Sequence, residues 1–300
     1  MRTMRVRVAD SVLENWRCWW PEQVDEAVAD VHRRLEQSVR AWGLTDLAAL
    51  PGGELALVAG AMRGDSEVVL KLNPAVGASG AEVADESAAL TRWKPTGAVP
   101  PVVGIRDGGL TILMARVRPG STLDALGDDP QRMVTVLGKL AGALHRGGEG
   151  PEAFRHLSDS ELADHWRRAL KGTREADELE GLLVPGAADT LLHLDLHSKN
   201  VLRSHDRWVA IDPKPHLGDP HADVLGVLSG APARSVPTDA GRAREQLRRL
   251  VSAYAAAASL DYDRTAAWAR LRALATGLGV RHERPAWASE LIRIAAALQS

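Results

Sequence analysis

The chain has 300 residues, 45% hydrophobic and 25% charged, with a formal net charge of −2. That length can bury a large core as one domain or two lobes, and the near-neutral balance offers no field for nucleic acid or an anionic membrane. No apolar run approaches the ~18–20 residues of a membrane span.

The opening residues MRTMRVRVADSVLENW break up their apolar positions with charges and hold no signal-peptide core. A cytoplasmic protein is therefore expected. Cys18 is the single cysteine, which excludes an internal disulfide; it reads as a small buried hydrophobe. Six lysines (71, 94, 139, 171, 199 and 214) stand against 31 arginines. A lysine in an apolar context is thus conspicuous.

Val12 to about Trp42 reads as helix, with Val28, Val31, Leu35 and Val39 at spacings of three and four, and Gly43 ends it. Leu55–Ala61, a turn at Arg63-Gly64-Asp65, and Val68–Leu72 then suggest a β-hairpin. A helix is expected over Ala81–Trp93, stopped by Lys94-Pro95, and a strand pair over Val99–Ile105 and Leu110–Val117. From Thr122 onward the periodicity is mainly helical: Met133–Leu144, Leu157–Leu170, Arg242–Ala258, Arg264–Leu278 and Trp287–Leu298. Two short strands interrupt it, Val201–Arg203 and Trp208–Ile211. An α+β chain with a sheet-bearing half (1–117) and a helical half (118–300) is expected.

The chemistry concentrates in His193–Asp223. LLHLDLHSKNVL places polar residues between apolar runs, and WVAID returns after a turn at His205-Asp206-Arg207. A hairpin of that length brings Asn200 and Asp212 to one edge, with Asp195 a few residues upstream. Phosphoryl transfer calls for such a set, because hard oxygen ligands hold Mg²⁺ on the phosphates and a carboxylate accepts the proton of the attacking hydroxyl. Asn200 and Asp212 suit the metal, and Asp195 suits the base. Two rival readings stand beside this one. His193, Asp195 and His197 alternate along an extended segment, with His216, Asp219, His221 and Asp223 nearby, and would suit a metal-dependent hydrolase. A catalytically silent binding module is the other.

Lys71 lies within the apolar strand VVLKL and fits a cation reaching a phosphate. On the following helix, at about 100° per residue, Glu86 falls in the middle of the face carrying Val83, Leu90 and Trp93. A carboxylate there calls for a cation, so Glu86 is the expected partner of Lys71, with Glu82 second. Neither a G-x-G-x-x-G nor a G-x4-G-K-[ST] phosphate loop is present, which disfavours P-loop and dinucleotide folds.

Together VVLKL, ESAALTRW, LMARVRPGSTL, LLHLDLHSKNVL and WVAIDPKPHLGDPHAD run in matching order from about residue 55 to 225. They resemble the aminoglycoside phosphotransferase group of the protein-kinase-like superfamily, nearest its streptomycin 6-phosphotransferase and hydroxyurea phosphotransferase branch. The resemblance implies a two-lobed kinase with a nucleotide-binding lobe over 1–117 and a catalytic, substrate-binding lobe over 118–300. It implies ATP or GTP as donor, with the backbone of Ala115 and Val117 facing the base, Lys71 and Glu86 on the phosphates, Mg²⁺ on Asn200 and Asp212, and Asp195 as base. His193 and Asp223 would brace the loop.

The substrate would be a small hydroxylated molecule, cationic if an aminoglycoside, and the enzyme a monomer or weak homodimer. Residues 149–189 hold ten acids against five bases and could attract such a cation. Two departures are visible: Leu194 stands where many members have Gly, and Met-Ala-Arg where Leu-Glu-Arg is common.

Overall fold

The computed structural model describes residues 6–51, 55–76, 79–127, 129–147 and 154–299, without the side chains of 79–84. The chain is α+β and divides into two units: Met1–Lys94 with Val99–Val117, and Pro95–Ala98 with Arg118–Ser300.

The first unit opens with α1 (Asp10–Trp19) and α2 (Val24–Trp42). Pro21 cannot supply a backbone N–H inside a helix, so the single helix expected here breaks in two. Gly43 ends α2 in the left-handed region (φ 62°), its N–H returning to Val39 O. Helix α1 buries Val12 and Trp16, and Cys18 lies on its other face, exposed. The expectation of a buried thiol is therefore wrong: two residues on from Trp16 the helix has turned by about 200°.

Five antiparallel strands follow: β1 (Leu44–Ala49), β2 (Leu57–Arg63), β3 (Ser66–Leu72), then α3 (Ser79–Trp93), β4 (Val102–Arg106) and β5 (Thr111–Ala115). Their order is β1-β2-β3-β5-β4, so β3 is the central strand. The β2–β3 hairpin turns at Gly64-Asp65, with Gly64 at φ 57°. Val31 and Leu35 of α2 join Leu57, Ala59, Leu70 and Leu72 of the sheet in one core. Arg34 is buried beside them and ties α2 to the strand ends, donating to Asn73 O (2.6 Å) and Thr111 Oγ1 (3.2 Å).

The second unit contains β6 (Pro119–Thr122), α4 (Pro130–Gly147), α5 (Glu161–Leu170), α6 (Glu175–Leu183), β7 (Thr190–Leu192), β8 (Val201–Ser204), β9 (Arg207–Ala210) and β10 (His216–Gly218). After these come α7 (Gly230–Arg234), α8 (Ala240–Ala258), α9 (Tyr262–Gly279) and α10 (Pro285–Ala297). Gly138 and Gly142 let α4 lie directly on α8. A Cβ at Gly138 would stand 2.5 Å from Tyr254 O, and one at Gly142 2.9 Å from Ala258 O. Ser160 accepts from Ala163 N and caps α5, so the helix expected from Leu157 begins four residues late, after a short 3-10 turn. Trp166 of α5 packs on Trp268 of α9 with ring centroids 6.2 Å apart.

Candidate active site

In the first unit, Lys71 points from the central strand to Glu86 of α3. Its Nζ donates to both carboxylate oxygens, at 2.8 and 2.7 Å, and both residues are buried. Asn73 Nδ2 approaches the same carboxylate at 3.4 Å. Because β3 has a neighbour on each side, Lys71 has no edge from which to reach water, and Glu86 is its charge partner. The side chain of Glu82, the second choice, lies outside the described residues. Ala115 closes β5 with its N–H donated to Pro101 O at 2.9 Å, so from this residue only the carbonyl remains for a nucleotide base. Val117 follows beyond the strand.

In the second unit, β7 and β10 pair antiparallel, Leu192 opposite His216, and clamp the intervening loop at its base. Within that loop β8 and β9 form the expected hairpin, Val201 opposite Ala210, and Ile211 N–H donates to Asn200 O at 2.9 Å. Asn200 and Asp212 therefore flank the same open end. Asn200 Nδ2 donates to Asp195 O (2.9 Å) and to its Oδ2 (3.3 Å). With the amide nitrogen turned to Asp195, the amide oxygen is the end that would coordinate a metal. Asp212 is exposed with φ 60°, a conformation that Asp tolerates better than most residues.

A buried scaffold holds this loop. Asp223 accepts from His193 N (2.9 Å), Leu194 N (2.6 Å) and His145 Nε2 (3.0 Å). Burial pushes its carboxyl up, but the hydrogen bond and charge of His145, with His193, bring it below the ordinary carboxylate value. Arg272 donates to Leu194 O and Ala222 O, both at 2.6 Å, and lies over the Trp166 ring. Burial lowers its pKa, while Asp223 and Asp195 oppose the shift. Tyr254 OH donates to Asp223 O. Of this scaffold only Asp223 was suggested by the motifs; His145, Tyr254 and Arg272 lie 31 to 78 residues from their partners along the chain, beyond any spacing signal.

His193 is fully buried and its pKa is lowered by that burial, against the pull of Asp223, Asp195 and Asp212. Its Nε2 donates to Ile211 O at 3.1 Å, and its Nδ1 accepts from Asp195 N at 3.3 Å. Both ring nitrogens are thus committed to backbone, which removes His193 from the metal cluster that the alternation suggested. His216 Nδ1 lies 3.2 Å from Lys214 O, and His221 bridges Asp219 to Asp261 N ahead of α9. Among the described residues no group of three His, Cys, Asp or Glu side chains could hold a metal. The donor set Asn200 and Asp212 instead suits Mg²⁺, which takes one or two protein oxygens and completes its shell with phosphates and water.

Asp195 has one more neighbour that the motifs did not place there. Lys214 Nζ lies 3.1 Å from its Oδ2, while His197 Nε2 stands 3.7 Å from Oδ1.

The acidic stretch is less available than its composition suggests. Glu180 and Asp164 pair with Arg167, Glu175 and Glu178 with Arg270, and Asp189 with His156. Glu149 and Glu152 lie outside the described residues.

A family profile described as aminoglycoside/hydroxyurea antibiotic resistance kinase matches residues 42–283. A streptomycin 6-kinase of Streptomyces griseus is 29% identical over 291 residues, covering 90% of this chain and 89% of that one. A hydroxyurea phosphotransferase of Kitasatospora aureofaciens is 33% identical over 219 residues, covering 68% and 62%. The same fold occurs in a putative fructosamine-3-kinase from Thermobifida fusca (TM-score 0.58, 21% identity, 88% and 98% covered). It occurs also in an aminoglycoside phosphotransferase solved with AMP-PNP and hygromycin B (TM-score 0.55, 19% identity, 88% and 96% covered). With most of its length matched by the profile, and a loop in which Asn200 contacts Asp195, this chain belongs to the aminoglycoside/hydroxyurea antibiotic resistance kinases.

Proposed function

We propose that the enzyme transfers the γ-phosphoryl group of ATP, or GTP, to a hydroxyl of a streptomycin-like aminoglycoside or of hydroxyurea, and thereby confers resistance. The observation that carries this reading is the contact of Asn200 with Asp195 at the open end of the β8–β9 hairpin, one residue from Asp212. Asp195 accepts the proton as the acceptor oxygen bonds to phosphorus and the bond to the bridging oxygen breaks. Bound Mg²⁺ would neutralise charge on the phosphates, held by Asn200 and Asp212.

Residues 1–117 act as the nucleotide-binding lobe and 118–300 as the catalytic one. Lys71, aimed by Glu86, faces the phosphates, and Ala115 O and Val117 N face the base. Relatives that act on streptomycin and on hydroxyurea support a small hydroxylated acceptor. Neither nucleic acid nor membrane takes part; among the described residues no helix is long and apolar enough to cross one. A cytoplasmic monomer or weak homodimer is the working form.

Nucleotide consumption against streptomycin, other aminoglycosides and hydroxyurea tests the substrate. Asp195→Ala should lower turnover by roughly 10²–10⁴-fold while nucleotide affinity, measured by calorimetry, stays near wild type. Unchanged turnover in that variant would remove Asp195 from the role of base.

A further inference from the structure

Lys214 stands between Pro213 and Pro215, both buried, two residues after Asp212. Its N–H donates to His193 O at 2.9 Å, which ties its backbone to the residue two positions before Asp195. From that anchor Nζ reaches Asp195 Oδ2 at 3.1 Å, although 68% of the side chain is exposed. An exposed lysine ordinarily spreads over many rotamers, and its ion pairs contribute little. Here two prolines fix φ on either side and the backbone is pinned beside the carboxylate, so much of that freedom is already removed.

The contact also divides the two oxygens of Asp195. Lys214 and Asn200 both engage Oδ2, at 3.1 and 3.3 Å. The nearest side-chain nitrogen recorded for Oδ1 is His197 Nε2 at 3.7 Å, beyond hydrogen-bond reach. One oxygen is held, and the other is left to meet an acceptor.

We propose that Lys214 is a positioning residue of phosphoryl transfer, which with Asn200 fixes Oδ2 of Asp195 so that Oδ1 faces the substrate hydroxyl. This rests on the reading of Asp195 as the base. A misplacement of about 1 Å at a reacting group costs on the order of 10²-fold in rate, and the loss of one of two restraints should approach that.

A double-mutant cycle with streptomycin and with hydroxyurea as acceptors tests it. Lys214→Ala should lower kcat by about 10- to 100-fold, leave both KM values within about twofold and leave the melting temperature unchanged. Lys214→Arg, which keeps the cation, should recover most of the rate. In an Asp195→Asn background the same Lys214→Ala change should cost less than about twofold, because the group it positions is gone.

A wild-type kcat in Lys214→Ala overturns the proposal, as does a loss confined to KM or an undiminished loss in the Asp195→Asn background. If Asp195→Asn by itself turns over normally, the assignment of the base fails instead, and the two failures are told apart by that single variant.

Discussion

Leu194 occupies the left-handed region at φ 56° immediately before Asp195, with its side chain buried. A non-glycine residue there costs about 1–2 kcal/mol. The conformation persists because both ends of the residue are held: Asp223 accepts its N–H and Arg272 donates to its carbonyl. Replacing Leu194 by Gly therefore sets two terms against each other. Strain relief returns about 1 kcal/mol, but deleting a buried leucine side chain costs about 2–5 kcal/mol. We expect Leu194→Gly to destabilise the protein by about 1–4 kcal/mol in denaturant unfolding, less than truncation of the fully buried Leu196 to Ala. A gain in stability would show that the leucine pocket contributes nothing.

The elements around the His193–Asn200 loop are joined by Asp219, which precedes the 3-10 turn Pro220–Val227. Its carboxylate accepts from His221 N, from Trp268 Nε1 at 2.6 Å and from Arg264 Nε at 2.5 Å, tying the end of β10 to α9. Burial pushes its pKa up, yet the hydrogen bonds and charge of His221, with Trp268, outweigh it and set the value at about 2. A carboxylate whose folded pKa lies below its unfolded value adds stability above the unfolded pKa and loses it as pH falls through the folded one. That contribution is about 2 kcal/mol at neutral pH. The stability difference between wild type and Asp219→Asn should hold steady from pH 7 to 5 and shrink as pH falls from about 4 to 2. A difference independent of pH across that window would mean that the charge plays no part.

At the scale of the whole molecule, charge is dispersed. The net value is −2, and of the eight acids in residues 155–189 Asp164, Glu175, Glu178 and Glu180 pair with arginines and Asp189 with His156. Long-range attraction of a cationic antibiotic should therefore be weak, and kcat/KM for streptomycin should fall less than about threefold between 0.05 and 0.5 M salt. A steep fall, absent with neutral hydroxyurea, would place an unpaired acidic surface on the approach path.

The same local pairing shows how far the sequence could be read. Residue type and spacing were enough to pair Lys71 with Glu86 and to bring Asn200 and Asp212 to one end of a hairpin beside Asp195, because a hairpin and one amphipathic helix are local objects whose geometry follows from period and turn. The three-residue strands β7 and β10 were not legible, since so short a run has no periodicity and forms only by pairing with a distant partner. Helix α6, mostly acidic in its first turn, was hidden for a similar reason: α9 supplies Arg270 to its acids. By itself the sequence determined the order and type of the groups proposed for phosphoryl transfer, and the fold class. Only the tertiary structure decided which oxygen of Asp195 is held, that His145 joins the scaffold and which acids are already neutralised. Those outcomes depend on burial and on partners brought from tens of residues away, which no local pattern encodes.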